Sequence, residues 1–143
     1  MTIAIWPPDL PPRPSRAGFS RGIADGRLFS ENDRGSPKTR LATSAAPVPV
    51  AAPFVFTTDQ LLRFERFWRE DTNRGTALFW MIDPVVHGQV WVTAAGEPVV
   101  TAAGATITRT AYDLIAFGKQ TPAAVPLTGV EYRVSFELWK MPR

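Results

Sequence analysis

Along residues 130–138 apolar and polar side chains alternate without a break. Val130, Tyr132, Val134, Phe136 and Leu138 fall on one side, and Glu131, Arg133, Ser135 and Glu137 on the other. Nine such positions predict a strand with one buried face in an antiparallel sheet. Trp139 continues the polar side, where an indole is out of place. It packs on a partner or covers a local loop. A different period runs from residue 57 to residue 73. Leu61, Phe64 and Trp68 recur at i, i+3 and i+7, with Leu62 and Phe67 widening the stripe. Arg63, Arg66, Arg69 and Glu70 lie mostly opposite. This spacing predicts one amphipathic helix over about 58–73. Thr57 with Gln60 forms a capping box and Phe56 with Leu61 a hydrophobic staple. Asn73-Arg74-Gly75 supplies the stop.

The remaining pattern is β. Residues 77–83 are a short apolar run ended by Pro84, residues 89–94 alternate, and residues 96–98 turn. Residues 105–117 read as a long strand, and 121–129, with Pro122 and Pro126, as a loop. We read no internal repeat. Upstream, Asp25-Gly26 is a hairpin-turn signal flanked by Phe19, Ile23, Leu28 and Phe29, followed by a strand near 38–45. Pro47, Pro49 and Pro53 place residues 46–56 at a sheet edge. Pro7, Pro8, Pro11, Pro12 and Pro14 fix φ and remove amide donors, so residues 1–16 form an extended arm, locally polyproline II. Ile3, Ile5 and Trp6 dock it either on the chain's own sheet or on a neighbouring subunit. The fold expected is mainly β with one α-helix. It is an antiparallel β-sandwich or partly open barrel, with the helix packed on a sheet and an extended Pro-rich N-terminal arm. Residues 1–16 are the arm and residues 17–143 a single domain.

Composition narrows the chemistry. The 143 residues include no cysteine, which excludes a disulfide scaffold, a thiol nucleophile and thiolate metal ligands. His87 is the single histidine, so a multi-histidine metal site is excluded too. A general-base role for His87 is weighed against a loop position beside Gly88, and the loop is preferred. Asp83-Pro84 reads as turn initiation. Glu131 and Glu137 share a strand face but lie about 20 Å apart, too far for paired acid–base work. Glu65 and Asp71 point in different directions on the helix. No enzyme activity, cofactor or metal is expected. No apolar run reaches the length of a membrane span. The first sixteen residues lack the basic and apolar regions of a signal peptide.

The net charge of +3 lies entirely in residues 1–40, where seven Lys/Arg face four acids. That is too sparse for direct sequence-specific nucleic-acid binding. Five Trp, nine Phe and two Tyr exceed what the helix stripe and one strand face need. Spare aromatics favour protein–protein contact. Ile3, Ile5, Trp6, Trp91 and Trp139 are the candidate subunit-interface residues. A small carbohydrate-binding β-sandwich module, with Trp91, Trp139 or Tyr112 as its platform, is the alternative from another class.

The order of these features resembles a known family. A DG-containing segment, Asp25-Gly26-Arg27, precedes a basic strand, Lys38-Thr39-Arg40-Leu41. An edge strand then runs straight into the capped helix TTDQLLRFERFWRE at 57–70. Gly75, Phe79-Trp80, Asp83-Pro84 and the strand at 130–138 follow. Over residues 17–143 this is similar to the minor tail proteins of long-tailed bacteriophages and to distal tail proteins. The resemblance implies a β-sandwich domain with one helix, assembled as a homo-oligomeric ring of six between the tail tube and the tip or baseplate hub. It implies a virion protein assembled in the bacterial cytoplasm, with tail tube and hub proteins as partners. A tail-terminator or head–tail connector ring is the related alternative. The family has no catalytic residues to carry over. The proline arm and residues 95–127 depart from its pattern.

Overall fold

The computed structural model describes residues 2–142; Met1 and Arg143, the outermost residues of the expected arm and domain, lie outside it. The strands are β1 (Ala4–Ile5), β2 (Ser20–Arg21), β3 (Arg27–Ser30), β4 (Lys38–Leu41), β5 (Val48–Thr57), β6 (Phe79–Ile82), β7 (Tyr112–Phe117), β8 (Ala123–Pro126) and β9 (Glu131–Lys140). The helix α1 (Thr58–Arg66) follows β5 directly. One sheet has the order β1-β6-β7-β9-β5-β2, and β8 pairs the stretch of β9 that β7 leaves free. β3 and β4 pair apart from it. All pairings are antiparallel except β1 on β6, so the sheet is mixed, and it does not close. The fold is therefore mainly β with a single helix packed on an open sheet.

The last strand keeps its predicted alternation from Val134 on, where Val134, Phe136 and Leu138 are buried, but Tyr132 is only half-buried and Val130, expected on the same face, is exposed and precedes the strand. β9 pairs with β5 over ten residues. β5 lies beside the edge, with the two-residue β2 pairing only Val50 and Ala51 on its outer side. Its prolines are tolerated because Pro49 and Pro53 turn their carbonyls to the side where only the two-residue β2 and a loop lie, accepting from Gly22 and Ser15. No ladder amide is demanded of them there.

α1 begins as predicted. The Thr57 hydroxyl accepts from the Gln60 amide and the Gln60 side chain accepts from the Thr57 amide. The end differs. α-Helix stops at Arg66, and Phe67–Asp71 form a wider π turn. The Thr72 amide bonds the Phe67 carbonyl five residues back at 3.0 Å, and its hydroxyl bonds the Trp68 carbonyl at 2.8 Å. An undistorted helix would bring Asp71, four residues after Phe67, to the inner side. The widened turn brings Thr72 inward and leaves Asp71 exposed. Asn73, Arg74 and Gly75 then take positive φ in succession, and a Cβ on Gly75 would sit 2.2 Å from the Trp68 ring. Only glycine fits there.

Three further expectations are corrected. Residues 121–129 are not all loop, since β8 forms within them. The hairpin turn lies between β3 and β4, not at Asp25-Gly26, and β4 stops at Leu41. Gly26 is needed for close approach, because a Cβ there would meet the Thr43 carbonyl oxygen at 1.9 Å. Regular pairing of residues 105–117 begins only at Tyr112.

The inner face of the sheet carries the core. Phe54, Phe56, Phe79, Phe117 and Phe136 meet Phe64 and Phe67 of the helix. Trp6 sits among them, its ring 5.1–6.3 Å from those of Phe54, Phe64, Phe67, Phe79 and Phe136. Its indole donates to the Pro11 carbonyl at 3.0 Å. The proline segment is thus a strap on the chain's own inner face. Leu10 is buried, Asp9 meets Gln60 and Arg63 of the helix, and the Ser15 amide reaches Pro53.

Candidate interaction surface

Register puts the end of β2, the start of β5, the end of β6, the start of β7 and the end of β9 at one end of the sheet. The apolar inner face breaks there. Asp83 and Asp113 are buried, and Lys140 reaches an oxygen of each at 3.0 Å. Arg21 approaches Asp83 at 3.5 Å. Two cations thus face two carboxylates, the condition for keeping charge inside a protein. Burial pushes the Asp83 carboxyl up, but the Val85 amide and the Lys140 ammonium, which bond its charged form, outweigh that and hold it at about 2. The other Asp83 oxygen accepts from the Val85 amide at 2.8 Å, so the expected turn at Asp83-Pro84 is present and anchored. His87 completes the anchor. Its Nδ1 accepts from the Ala111 amide at 3.1 Å, its amide donates to the Asp83 carbonyl, and its carbonyl receives Arg13 from the strap.

Two projections leave this end, one basic and one apolar. The first is the β3–β4 ribbon, between β2 and β5. All eight of its strand residues are exposed. Its register sets Arg27 opposite Leu41 and Phe29 opposite Thr39 on one face, with Leu28, Ser30, Lys38 and Arg40 on the other. Arg27 lies over the Phe29 ring at 4.9 Å and bonds Asp25 with its guanidinium, which holds that carboxyl at about 2.

The second projection joins β6 to β7, and here sequence reading missed a repeat. Residues 89–96 read QVWVTAAG, 97–104 read EPVVTAAG and 105–112 read ATITRTAY. Each octapeptide is one leg of a three-legged pinwheel. The Trp91 amide bonds the Ile107 carbonyl at 3.0 Å, Ile107 bonds Val99 at 2.9 Å, and Val99 bonds Trp91 at 2.8 Å, closing a ring. The bridges Val92–Pro98, Val100–Thr106 and Val90–Thr108 run around the same cycle. The two inner turns are copies. The Thr93 and Thr101 amides each donate to the carbonyl four residues on at 2.8 Å, and their hydroxyls accept from the Glu97 and Ala105 amides. Gly96 and Gly104 take φ of 83° and 82°. The third leg has Arg109 in place of threonine and no glycine, so the chain runs out of the pinwheel into β7.

The expected interface residues separate into three places. Trp6 is 7% exposed, inside the chain. Trp91 stands on the pinwheel at 57% exposure. Ile3, Ile5 and Trp139 fall on the outer face of the sheet, by alternation with the buried Trp6 and Leu138. Register brings that face together across five strands. Ile5 lies beside Trp80, Trp80 beside Leu114, Ala116 beside Trp139, and Trp139 beside Pro49. Helix and strap cover the inner face only.

Trp80, the ionic cluster and the repeat went unread in the sequence. Each left a signal. Trp80 alternates with Phe79 and Met81, as Trp139 does with Leu138 and Lys140. Asp113 and Lys140 break the inward apolar positions of their strands. Val-Thr-Ala-Ala-Gly occurs twice, eight residues apart. Among the described residues no cluster of His, Asp or Glu suits a metal, and no helix is long and apolar enough to cross a membrane. Comparison with family models, curated proteins and solved structures finds no match to this chain.

Proposed function

We infer that this chain is a structural subunit of a bacteriophage tail. It assembles with copies of itself into a ring at the distal end of the tail tube and joins the tube to the tip or baseplate hub. The observation that carries this reading is the unequal covering of the sheet. Its inner face is closed by the helix and the strap, while an apolar patch on its outer face, around Ile5, Trp80 and Trp139, and the pinwheel at one end stay open. A ring subunit makes head-to-tail contacts, which need two different adhesive surfaces on each copy. The resemblance in the order of sequence features to minor tail and distal tail proteins is the other support. The carbohydrate-module reading is less well supported. The trough on the outer face, about 440 Å³ between Pro49, Ala51, Pro53 and Ser135, has no Trp or Tyr in its lining.

The test is the state of the purified chain as its concentration rises, followed by sedimentation and projection images. Closed rings are expected. A monomer at every concentration counts against the reading. Antibody labelling of assembled tails then separates the distal ring from a terminator or connector ring, by the end that is decorated.

A further inference from the structure

The pinwheel is an unusual thing to expose. Residues 89–108 contain one charged side chain, Glu97, in twenty positions. Val90, Trp91, Val92, Val100 and Ile107 are all exposed. A patch poor in charge and carrying tryptophan has the composition of an interface core. The plate is too small to hold a core of its own, since units below about 40 residues lean on staples or partners. Yet its backbone is pre-formed by the closed ring of amides and by the paired Thr–Gly turns. Little ordering entropy remains to be lost on docking.

The matching surface is on the same molecule but out of its reach. Ile5, Trp80, Leu114, Trp139 and Pro49 present an uncharged shelf on the outer face. Five strands about 4.8 Å apart make it roughly 19 Å wide, enough to seat legs of three paired residues about 10 Å long. Within one chain the plate extends past the tips of β6 and β7. Asp83, Lys140 and the Arg13–His87 contact hold its root there. We propose that the pinwheel of one copy seats on the outer sheet face of the next copy, with the side bearing Trp91, Val99 and Ile107 turned toward Ile5, Trp80 and Trp139. This rests on the ring reading and specifies its contact. A second copy is the occupant because it covers both uncharged surfaces at once, whereas a foreign partner on either would leave the other in water. The two surfaces differ, so the contact is head-to-tail and propagates from copy to copy.

A chain without cysteine makes the test clean. Ile5→Cys and Ile107→Cys are prepared separately and together, and treated with a short bismaleimide at assembling concentration. A cross-linked dimer is expected from the mixture of the two single variants and none from either alone. The double variant is expected to give a ladder. In parallel, Trp91→Glu is expected to raise the concentration of half-assembly about a hundredfold with an unchanged melting temperature, since the indole is exposed. Rings that form without the cross-link between the two variants, or with cross-links within one variant alone, overturn this contact and leave the ring reading standing. Monomers without any cross-link at all concentrations overturn both.

Discussion

Trp6 and Trp91 each lie in a stretch that forms no regular central strand, yet their surroundings are opposite. The strap crosses the inner face, where Trp6 is ringed by five phenylalanines and bonded through its indole to Pro11. The pinwheel stands off the end of the sheet and leaves Trp91 in solvent. Both segments are stiff, one through proline rings and the other through a closed cycle of backbone bonds. The difference lies in where each stiff segment is aimed. The strap is tied by β1, Asp9 and Ser15 to elements of the core. The pinwheel is rooted by Asp83 and His87 so that it points away from it. Apolar side chains in this molecule therefore end in two opposite settings, and the residue type alone does not tell which.

The contrast is broken most severely by Trp6→Ala. Removing the hub of the aromatic core should cost about 3–5 kcal/mol, read from chemical denaturation. A loss below about 1 kcal/mol would mean that the strap is a loose arm after all. Next comes Lys140→Met, which leaves Asp83 and Asp113 buried without their shared cation. It should cost about 3 kcal/mol and loosen the roots of the projections, seen as faster amide exchange at Val85 and Ala111.

Acid gives a smaller effect. The folded Asp83 carboxyl sits at about 2, below its unfolded value. Its contribution is therefore complete above about pH 4 and is lost as the pH falls toward 2, amounting to about 2 kcal/mol. The urea midpoint of the native chain should fall across that window, and that of Asp83→Asn should fall less. Equal slopes would remove Asp83 from the account. The smallest change in folding stability belongs to Trp91→Ala, within about 0.5 kcal/mol because the side chain touches no core. The comparison is sharpest there. One tryptophan governs folding, and the other should govern only association.

The sequence pattern made the local elements legible wherever a single period held. The capping box at Thr57, the helix stripe through Phe64 and the alternation of β9 all required only neighbours in the chain. Trp139 was placed on its face by parity alone. What escaped depended on distant partners or on an unfamiliar backbone. The π turn exists because Thr72, not Asp71, has to enter the core. The strap's two possible docks differ only in which chain supplies the phenylalanines. Residues 89–94 and 105–109 alternate like ordinary strands, and only the cyclic pairing of three octapeptides turns them into a plate. Asp83, Asp113 and Lys140 are 30 and 27 residues apart in the chain, and meet because β6, β7 and β9 bring them to one end of the sheet.

The central claim is that the chain folds with its inner face and associates with what is left. Amide hydrogen exchange followed from dilute to concentrated protein tests it most directly. The Trp91, Val99 and Ile107 amides, bonded to one another but uncovered, should exchange faster than those of β5 and β9 in the dilute state, and should become at least about tenfold slower as copies assemble. Amides of β5 and β9 should stay slow throughout. Pinwheel amides that exchange at one rate over the whole concentration range would contradict the claim.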